Sequence, residues 1–174
     1  MVRPWIVLKI LIAGVAMVFA ALLHHGHIVM FLTEVREGLR RKGAARLRGS
    51  RIRQESSRLE VDFGDPAVHY VVAVHRKWRS LEIGLHFEGE RADNERRLGL
   101  LAERSDAIRR RLGAGVEFET WTKQWTRVHE STVVCSSDDW SPKRDLTPAL
   151  ARSTVTRFLR FVRVLQPLVE RERG

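Results

Sequence analysis

The feature that most constrains the fold is a set of three segments between residues 59 and 87 in which apolar and polar residues alternate. The apolar members are Leu59, Val61 and Phe63, then Val68, Tyr70, Val72 and Val74, then Leu81, Ile83, Leu85 and Phe87. A period of two predicts β-strands with one apolar and one polar face. Turn residues at 64–66 and a short connection at 76–80 separate the segments, which predicts an antiparallel meander.

The apolar face of this sheet has to be covered, and two later helical patterns can cover it. Residues 92–112 repeat apolar side chains at helical spacing and stop at Gly113. Thr147 and Pro148 are typical of a helix start, and Pro167 predicts that this C-terminal helix kinks or ends near Gln166.

Further alternation at 116–121 predicts a fourth strand, and residues 126–134 can add a fifth. We therefore predict a single α+β domain over residues 30–174. Its antiparallel sheet of four or five strands is packed on one face by a central and a C-terminal helix.

A shorter helix is predicted ahead of the sheet. Thr33 can cap it, Leu39 lies on its apolar side, and Gly43 can take the left-handed conformation that ends it. Residues 44–57 are then a basic connection or an edge strand.

The first 29 residues contain an apolar stretch, residues 5–23, that only Lys9 interrupts. Three interpretations fit it. It is a membrane anchor that tethers a cytoplasmic domain, or a cleaved secretory signal, or an upstream stretch that is not translated because synthesis starts at Met30 rather than Met1. His24, His25 and His27 follow it, but no carboxylate is close in sequence to complete a metal site, so we predict none.

The charge is concentrated on the flanks of the domain. The chain has a net charge of +10, and residues 36–58 carry nine basic and two acidic residues, a net +7. Such a segment predicts an anionic partner: nucleic acid, an acidic protein, or an anionic membrane surface if residues 5–23 are retained. The candidate binding residues are Arg51, Arg53, Lys77, Trp78 and Arg79, the last three at a predicted hairpin tip.

The polar face of the meander offers candidates for chemistry. A four-residue loop between the second and third strands would bring His75 to Glu82 and His69 to Glu88, with Asp62 facing His69. An imidazole beside a carboxylate can act in acid–base catalysis or bind a metal, although such pairs are also common on exposed sheet faces.

His69, His75, Glu82 and Asp62 are therefore candidate catalytic residues of a divergent metal-dependent hydrolase, the alternative to our main prediction. That main prediction is a non-catalytic accessory or interaction module without a cofactor. Cys135 is the single cysteine, so no intramolecular disulfide can form.

Three tryptophans, Trp121, Trp125 and Trp140, lie between the last strands and the C-terminal helix. They form either a stacking platform for bases or part of the core packing. The sequence leaves both interpretations open.

The order of these elements carries a resemblance. It consists of a strand at 81–87, a Glu- and Arg-rich helix at 91–113, a strand at 116–121 that ends in tryptophan, the Arg-Val-His strand at 127–129 and the helix at 157–170. Over about residues 30–172 this order resembles a bacterial domain of unknown function at the C-terminal end of some restriction-endonuclease-like proteins. The resemblance implies that DNA cleavage belongs to a separate nuclease domain. Here Gly84 stands where a nuclease of that type is expected to have a lysine.

Overall fold

The computed structural model describes residues 25–122, 124–135 and 140–171 of the 174-residue chain. These residues form five helices and six strands. In chain order they are α1 (25–43), β1 (Arg51–Gln54), β2 (Arg58–Asp62), β3 (Val68–His75), β4 (Ser80–Phe87), α2 (Arg91–Ala102), α3 (Ser105–Leu112), β5 (Glu117–Thr120), β6 (Thr126–Val133), α4 (Pro142–Asp145) and α5 (Pro148–Arg171).

The strands form one antiparallel sheet in the order β1-β2-β3-β4-β6-β5. The α+β prediction is confirmed, with one strand more than expected because the basic segment 44–57 supplies the edge strand β1. The β3–β4 loop has the predicted four residues, 76–79, but the predicted register was wrong by two residues. Such a loop places His75 opposite Ser80 and His69 opposite His86, rather than opposite Glu82 and Glu88.

The apolar side of the sheet packs against the helices in one core. Its members include Leu32, Val35 and Leu39 of α1, Val61, Tyr70, Val72, Ile83, Leu85, Phe87 and Val128 of the sheet, Leu101, Ile108 and Leu112 of α2 and α3, and Phe158, Leu159, Val162 and Leu165 of α5. The apolar faces of the strands and of the helices therefore pack against each other in one interface, as an arrangement of two layers requires.

The first helix differs from the prediction at both ends. Thr33 does not cap it, because the helix already includes residues 25–32, and Thr33 Oγ1 donates a hydrogen bond to the carbonyl oxygen of Val29 inside it. Ile28 extends the apolar stripe into the core, which gives the extra turns a burial energy that the cap signal does not reveal. The left-handed glycine of this region is Gly49, with φ of 79°, rather than Gly43.

Gly43 has a packing role instead. A β-carbon there would lie 2.8 Å from Leu159 Cδ2, and one at Gly38 would lie 2.7 Å from Val155 Cγ2. Both contacts are too short for any side chain, so the two glycines let α1 and α5 approach closely. The two helices thus form one continuous layer over the sheet.

The later helices also differ from the prediction in their bounds. The predicted helix 92–112 is two helices, since α2 ends in tight turns at Glu103 and Arg104 before α3 begins. The predicted stop at Gly113 is confirmed, with φ of 124°. The C-terminal helix begins as predicted, with Thr147 Oγ1 accepting the amide N–H of Leu150, but it continues past Pro167 to Arg171.

The apolar segment 5–23 lies outside the described residues. Within the described ranges, no helix is both long enough and apolar enough to cross a bilayer.

Candidate functional site on the polar face of the sheet

The strand side chains that alternate away from the core form a second, polar surface, which we call the polar face. Its charged and imidazole members are Arg51, Arg53, Arg58, Glu60, Asp62, His69, His75, Glu82, His86, Glu88, Glu117, Glu119, Arg127 and His129. The sequence predicted an exposed face, but this expectation was wrong. His69 is 2% exposed, Glu82 1% and His86 3%, because the side chains lie against one another in ion pairs and hydrogen bonds.

Glu82 is the centre of this network. Its Oε2 atom is 2.7 Å from His75 Nε2 and 2.6 Å from Arg127 Nη1, and its Oε1 atom is 2.7 Å from His86 Nε2. Burial alone would raise the pKa of Glu82, but the hydrogen bonds from His75 and His86, together with the charge of Arg127, hold it far below its usual value. His75 and Glu82 therefore do form a pair, although they are not directly opposite as predicted: Glu82 faces Ala73, and His75 reaches it diagonally from two residues further along β3.

His86 lies between two carboxylates. Its Nδ1 atom is 3.4 Å from Glu88 Oε1, on the side of the ring away from Glu82. Burial disfavours the imidazolium, but the hydrogen bonds to Glu82 and Glu88 outweigh burial and raise the pKa of His86. Glu88 is likewise ionised, since His69, His86 and Arg58 offset its burial and lower its pKa.

His69 connects β2 to this group. Asp62 lies opposite it on β2, as predicted, and Glu88 Oε1 is 3.6 Å from its Nε2 atom. Its other ring nitrogen, Nδ1, is 2.9 Å from the carbonyl oxygen of Pro66. Arg58 Nη2 is 3.4 Å from His69 Nε2, and it also forms an ion pair with Glu60.

A second cluster lies on β5 and β6. His129 Nε2 is 3.2 Å from Glu119 Oε1 and 3.9 Å from Glu117 Oε2. Burial and the nearby charge of Arg127 lower the pKa of His129, so its ring is neutral near pH 7. Arg127 Nε also donates a hydrogen bond to Glu119 Oε1, so this carboxylate already has a partner within the sheet.

Arg127 and His129 are members of this face that the sequence alone did not indicate. Their alternation in 126–130 was visible as a strand, but only the pairing of β6 with β4 shows that they face Glu82 and Gly84. Gly84 leaves the space that His129 needs, because a β-carbon there would be 2.9 Å from His129 Cβ.

Two of the tryptophans complete the polar face. The Trp121 ring lies 5.4 Å from the ring of His86, the Arg127 guanidinium stacks over Trp121 at 4.8 Å, and Trp125 packs beside it. Trp140 packs against the apolar core instead. The three tryptophans therefore do not form one platform.

The predicted binding residues fall into two separate groups. Arg51 pairs with Asp62 and Arg53 with Glu60, both on the edge strand β1. Lys77, Trp78 and Arg79 form the β3–β4 hairpin tip, where Trp78 is 58% exposed. Arg51 lies at the level of His69, six residues before the end of β3, so about 20 Å of strand separates the groups.

The structure brings together another set of cations, which we call the basic helical surface. It consists of Arg41, Lys42, Arg46, Arg48, Arg152 and Arg163, all exposed, on α1, the turn after it and α5. Among the described residues none of the six has a carboxylate within 4.0 Å. Arg41, Lys42 and Arg152 line one groove between α1 and α5, together with Glu34.

Comparison with protein-family models, with curated proteins and with solved structures gave no match to this chain. The resemblance to the restriction-endonuclease-associated domain therefore stays a prediction.

Proposed function

We propose that this protein is a non-catalytic interaction module that binds nucleic acid through its basic helical surface. The observation that carries the proposal is that six exposed cations lie on one helical layer and have no acidic partners among the residues that the structure describes. An unpaired guanidinium or ammonium is available to a phosphate, whereas a paired one must first give up its carboxylate.

The arrangement of the cations suits a phosphate backbone. Arg152 is three residues before Val155, and Arg163 is four residues after Leu159, so both flank the residues of α5 that contact α1. Eleven residues of helix separate these two arginines by about 16 Å, close to the axial rise of about five base pairs. The turn that carries Arg46 packs against the same layer, because Leu47 and Leu159 meet over Gly43.

The surface suits a membrane less well. A helix that binds a bilayer surface inserts large apolar side chains below its cations. In the described parts of the chain the exposed large hydrophobic residues are Met30, Trp78 and Val133. Only Met30 lies on an element that carries the six cations, and it is eleven residues before Arg41 on α1, about 16 Å along the helix. Five of the six cations are arginines, whose planar guanidinium pairs with phosphate through two hydrogen bonds.

The hairpin tip is a second contact in this proposal. Trp78 is exposed between Lys77 and Arg79, and an aromatic ring among cations can stack on an unpaired base. Nucleic acid with single-stranded regions would then use both the tip and the basic helical surface.

The metal-dependent hydrolase stays the second candidate. A catalytic centre on the polar face needs access for a substrate, but the side chains of His69, His86 and Glu88 are at most 15% exposed. This burial is why we favour a binding role for the protein.

The test is fluorescence anisotropy with labelled single-stranded and duplex oligonucleotides between 50 and 200 mM salt. The protein should bind both, with an affinity that falls linearly with salt on a log–log plot. The double variant Arg41→Gln/Arg152→Gln should reduce the slope by about two and weaken binding by about tenfold or more.

The matched control is Arg36→Gln/Arg40→Gln on α1. It removes the same charge, but both of these arginines pair with Glu37. It should weaken binding much less. Equal losses in the two double variants, or no binding at 50 mM salt, would contradict the proposal, as would stronger binding to anionic lipid vesicles or to polyglutamate.

A further inference from the structure

One end of the polar face brings two imidazoles and a carboxylate to a common point. His69 on β3 and His86 on β4 are direct cross-strand neighbours, and Glu88 follows two residues after His86. Glu88 Oε1 is 3.6 Å from His69 Nε2 and 3.4 Å from His86 Nδ1. The three atoms all lie within 4.8 Å of one another.

The hydrogen bonds of the two rings fix which nitrogen of each carries the lone pair in the neutral ring; that of His69 now faces Arg58 Nη2 at 3.4 Å. His69 Nδ1 is 2.9 Å from the carbonyl oxygen of Pro66, which can only accept, so Nδ1 carries the proton and Nε2 offers the lone pair. His86 Nε2 is 2.7 Å from the Glu82 carboxylate, so in the neutral ring Nδ1 offers the lone pair. Both lone pairs are on the Glu88 side of their rings.

This is the outer-shell arrangement that metal-binding histidines use. A ligating imidazole donates its other N–H to a backbone carbonyl or to a carboxylate, which fixes the tautomer and the orientation of the ring. Pro66 supplies such a carbonyl for His69, and Glu82 supplies the carboxylate for His86.

The spacing also fits. Zinc ligands at about 2.0–2.1 Å in a tetrahedral arrangement lie roughly 3.3 Å from one another. The two distances to Glu88 are already within a few tenths of an ångström of that value. The two nitrogens are within 4.8 Å of each other, so rotation of the imidazole side chains would have to close the remaining gap around one ion.

The charge of the face favours a cation. Its six carboxylates outnumber its four guanidiniums, so two negative charges remain when the imidazoles are neutral. Arg58 is the competing cation, since its Nη2 atom lies 3.4 Å from His69 Nε2 and 3.8 Å from Glu88 Oε1. It also pairs with Glu60, so a metal ion would displace it toward that carboxylate.

We propose that the polar face binds one divalent transition-metal ion through His69 Nε2, His86 Nδ1 and the Glu88 carboxylate. Two nitrogen ligands and one oxygen ligand suit Zn²⁺ or Co²⁺ and do not suit Mg²⁺ or Ca²⁺, which prefer oxygen alone. Because the ligands are buried and join β3 to β4, the ion stabilises the end of the sheet. The proposal is independent of nucleic-acid binding, since these residues lie on the opposite side of the sheet from the helices.

The experiment uses the full chain after treatment with a chelator. Calorimetric titration with Zn²⁺ should give one ion per chain, Co²⁺ should give a visible absorption band from imidazole coordination, and either ion should raise the unfolding temperature. The variants His69→Ala and Glu88→Gln should each weaken binding by at least about tenfold. Glu88→Gln removes the charge and keeps the shape, so a folding defect is not expected to hide its result.

Two controls use the same face. His75→Ala removes an imidazole that also hydrogen-bonds to Glu82, and it should change the affinity by less than about threefold. His129→Ala removes the other His and carboxylate cluster and should likewise leave the affinity unchanged. The proposal is overturned if the folded protein takes up neither ion, or if binding survives in His69→Ala and is lost in His129→Ala.

Discussion

The polar face and the basic helical surface are both rich in arginine, but in the part of the chain that the structure describes the arginines are paired with carboxylates only on the polar face. On the polar face Arg51, Arg53, Arg58 and Arg127 each have a carboxylate within 4.0 Å. On the basic helical surface none of the six cations has one in the described residues. Whether an arginine is available to a partner therefore depends on which residue the fold places opposite it, and the net charge of a segment does not report this.

The largest expected effect on stability is on the polar face, where each arginine is paired with a carboxylate. Arg127→Ala should lower the free energy of unfolding by about 3–5 kcal/mol, because it leaves the buried Glu82 carboxylate without its guanidinium partner. Arg163→Ala removes the same side chain from the basic helical surface and should change stability by less than about 0.5 kcal/mol. Urea denaturation measures both.

A double variant separates the ion pair from simple packing. Arg127→Leu/Glu82→Leu should recover part of the stability that Arg127→Ala loses, because no charge is then buried alone. Equal losses for Arg127→Ala and Arg163→Ala would show that the two surfaces do not differ as described.

The next effect concerns the space in the middle of the polar face. Gly84→Ala should cost about 1–3 kcal/mol, because the added β-carbon would lie 2.9 Å from His129 Cβ and 3.2 Å from the carbonyl oxygen of Val128. The matched control is Gly99→Ala on α2, where nothing lies within 4 Å, and it should stabilise the protein by about 0.5–1 kcal/mol. Thermal or urea unfolding of both variants gives the sign of each change.

A smaller effect sharpens the assignment of the interface. Arg51→Gln/Arg53→Gln should lower stability by about 1 kcal/mol, because both arginines are half exposed and pair with carboxylates. It should leave oligonucleotide affinity within about twofold, unlike Arg41→Gln/Arg152→Gln. A comparable loss of affinity in the two double variants would instead place the edge strand in the interface, as the sequence alone predicts.

The smallest effect is a pH dependence. The folded protein holds the pKa of His129 below its usual value because of burial and the charge of Arg127, whereas Glu82, Glu119 and Glu117 act in the other direction. The unfolded chain binds a proton here near pH 6.5, and the folded chain resists it, so stability falls as the pH drops below about 6.5. His129→Gln should show a smaller loss of stability between pH 7 and pH 5 than the natural protein, and identical curves would contradict this.

The strands of the fold were predictable because their alternation is local and strict. The alternation correctly put His69, His75 and Glu82 on one face of the sheet, but the predicted register of β3 and β4 was wrong by two residues, since a four-residue loop pairs His75 with Ser80 rather than with Glu82. The burial of these side chains was not predictable, since it depends on Arg127 and Trp121, which arrive from β6 and the segment before it.

The helix ends were harder to predict because local signals compete with packing. Thr33 has the chemistry of a cap, but Ile28 gains more by joining the core. The break at Glu103 and Arg104 has neither glycine nor proline to mark it. The basic helical surface required knowing that α1 and α5, more than 100 residues apart in the chain, touch through Gly38 and Gly43.

The sheet is bordered by two strands of only four residues, β1 and β5. A border strand presents unpaired backbone N–H and carbonyl groups, to which another chain can add a strand. Here Arg51 and Arg53 on one border, and Glu117 and Glu119 on the other, place charge of a single sign along each border. Two copies that met through identical borders would set like charges side by side, which disfavours a closed pair. The border β1 of one copy against β5 of another would instead bring opposite charges together, so this head-to-tail contact is the one that charge leaves open.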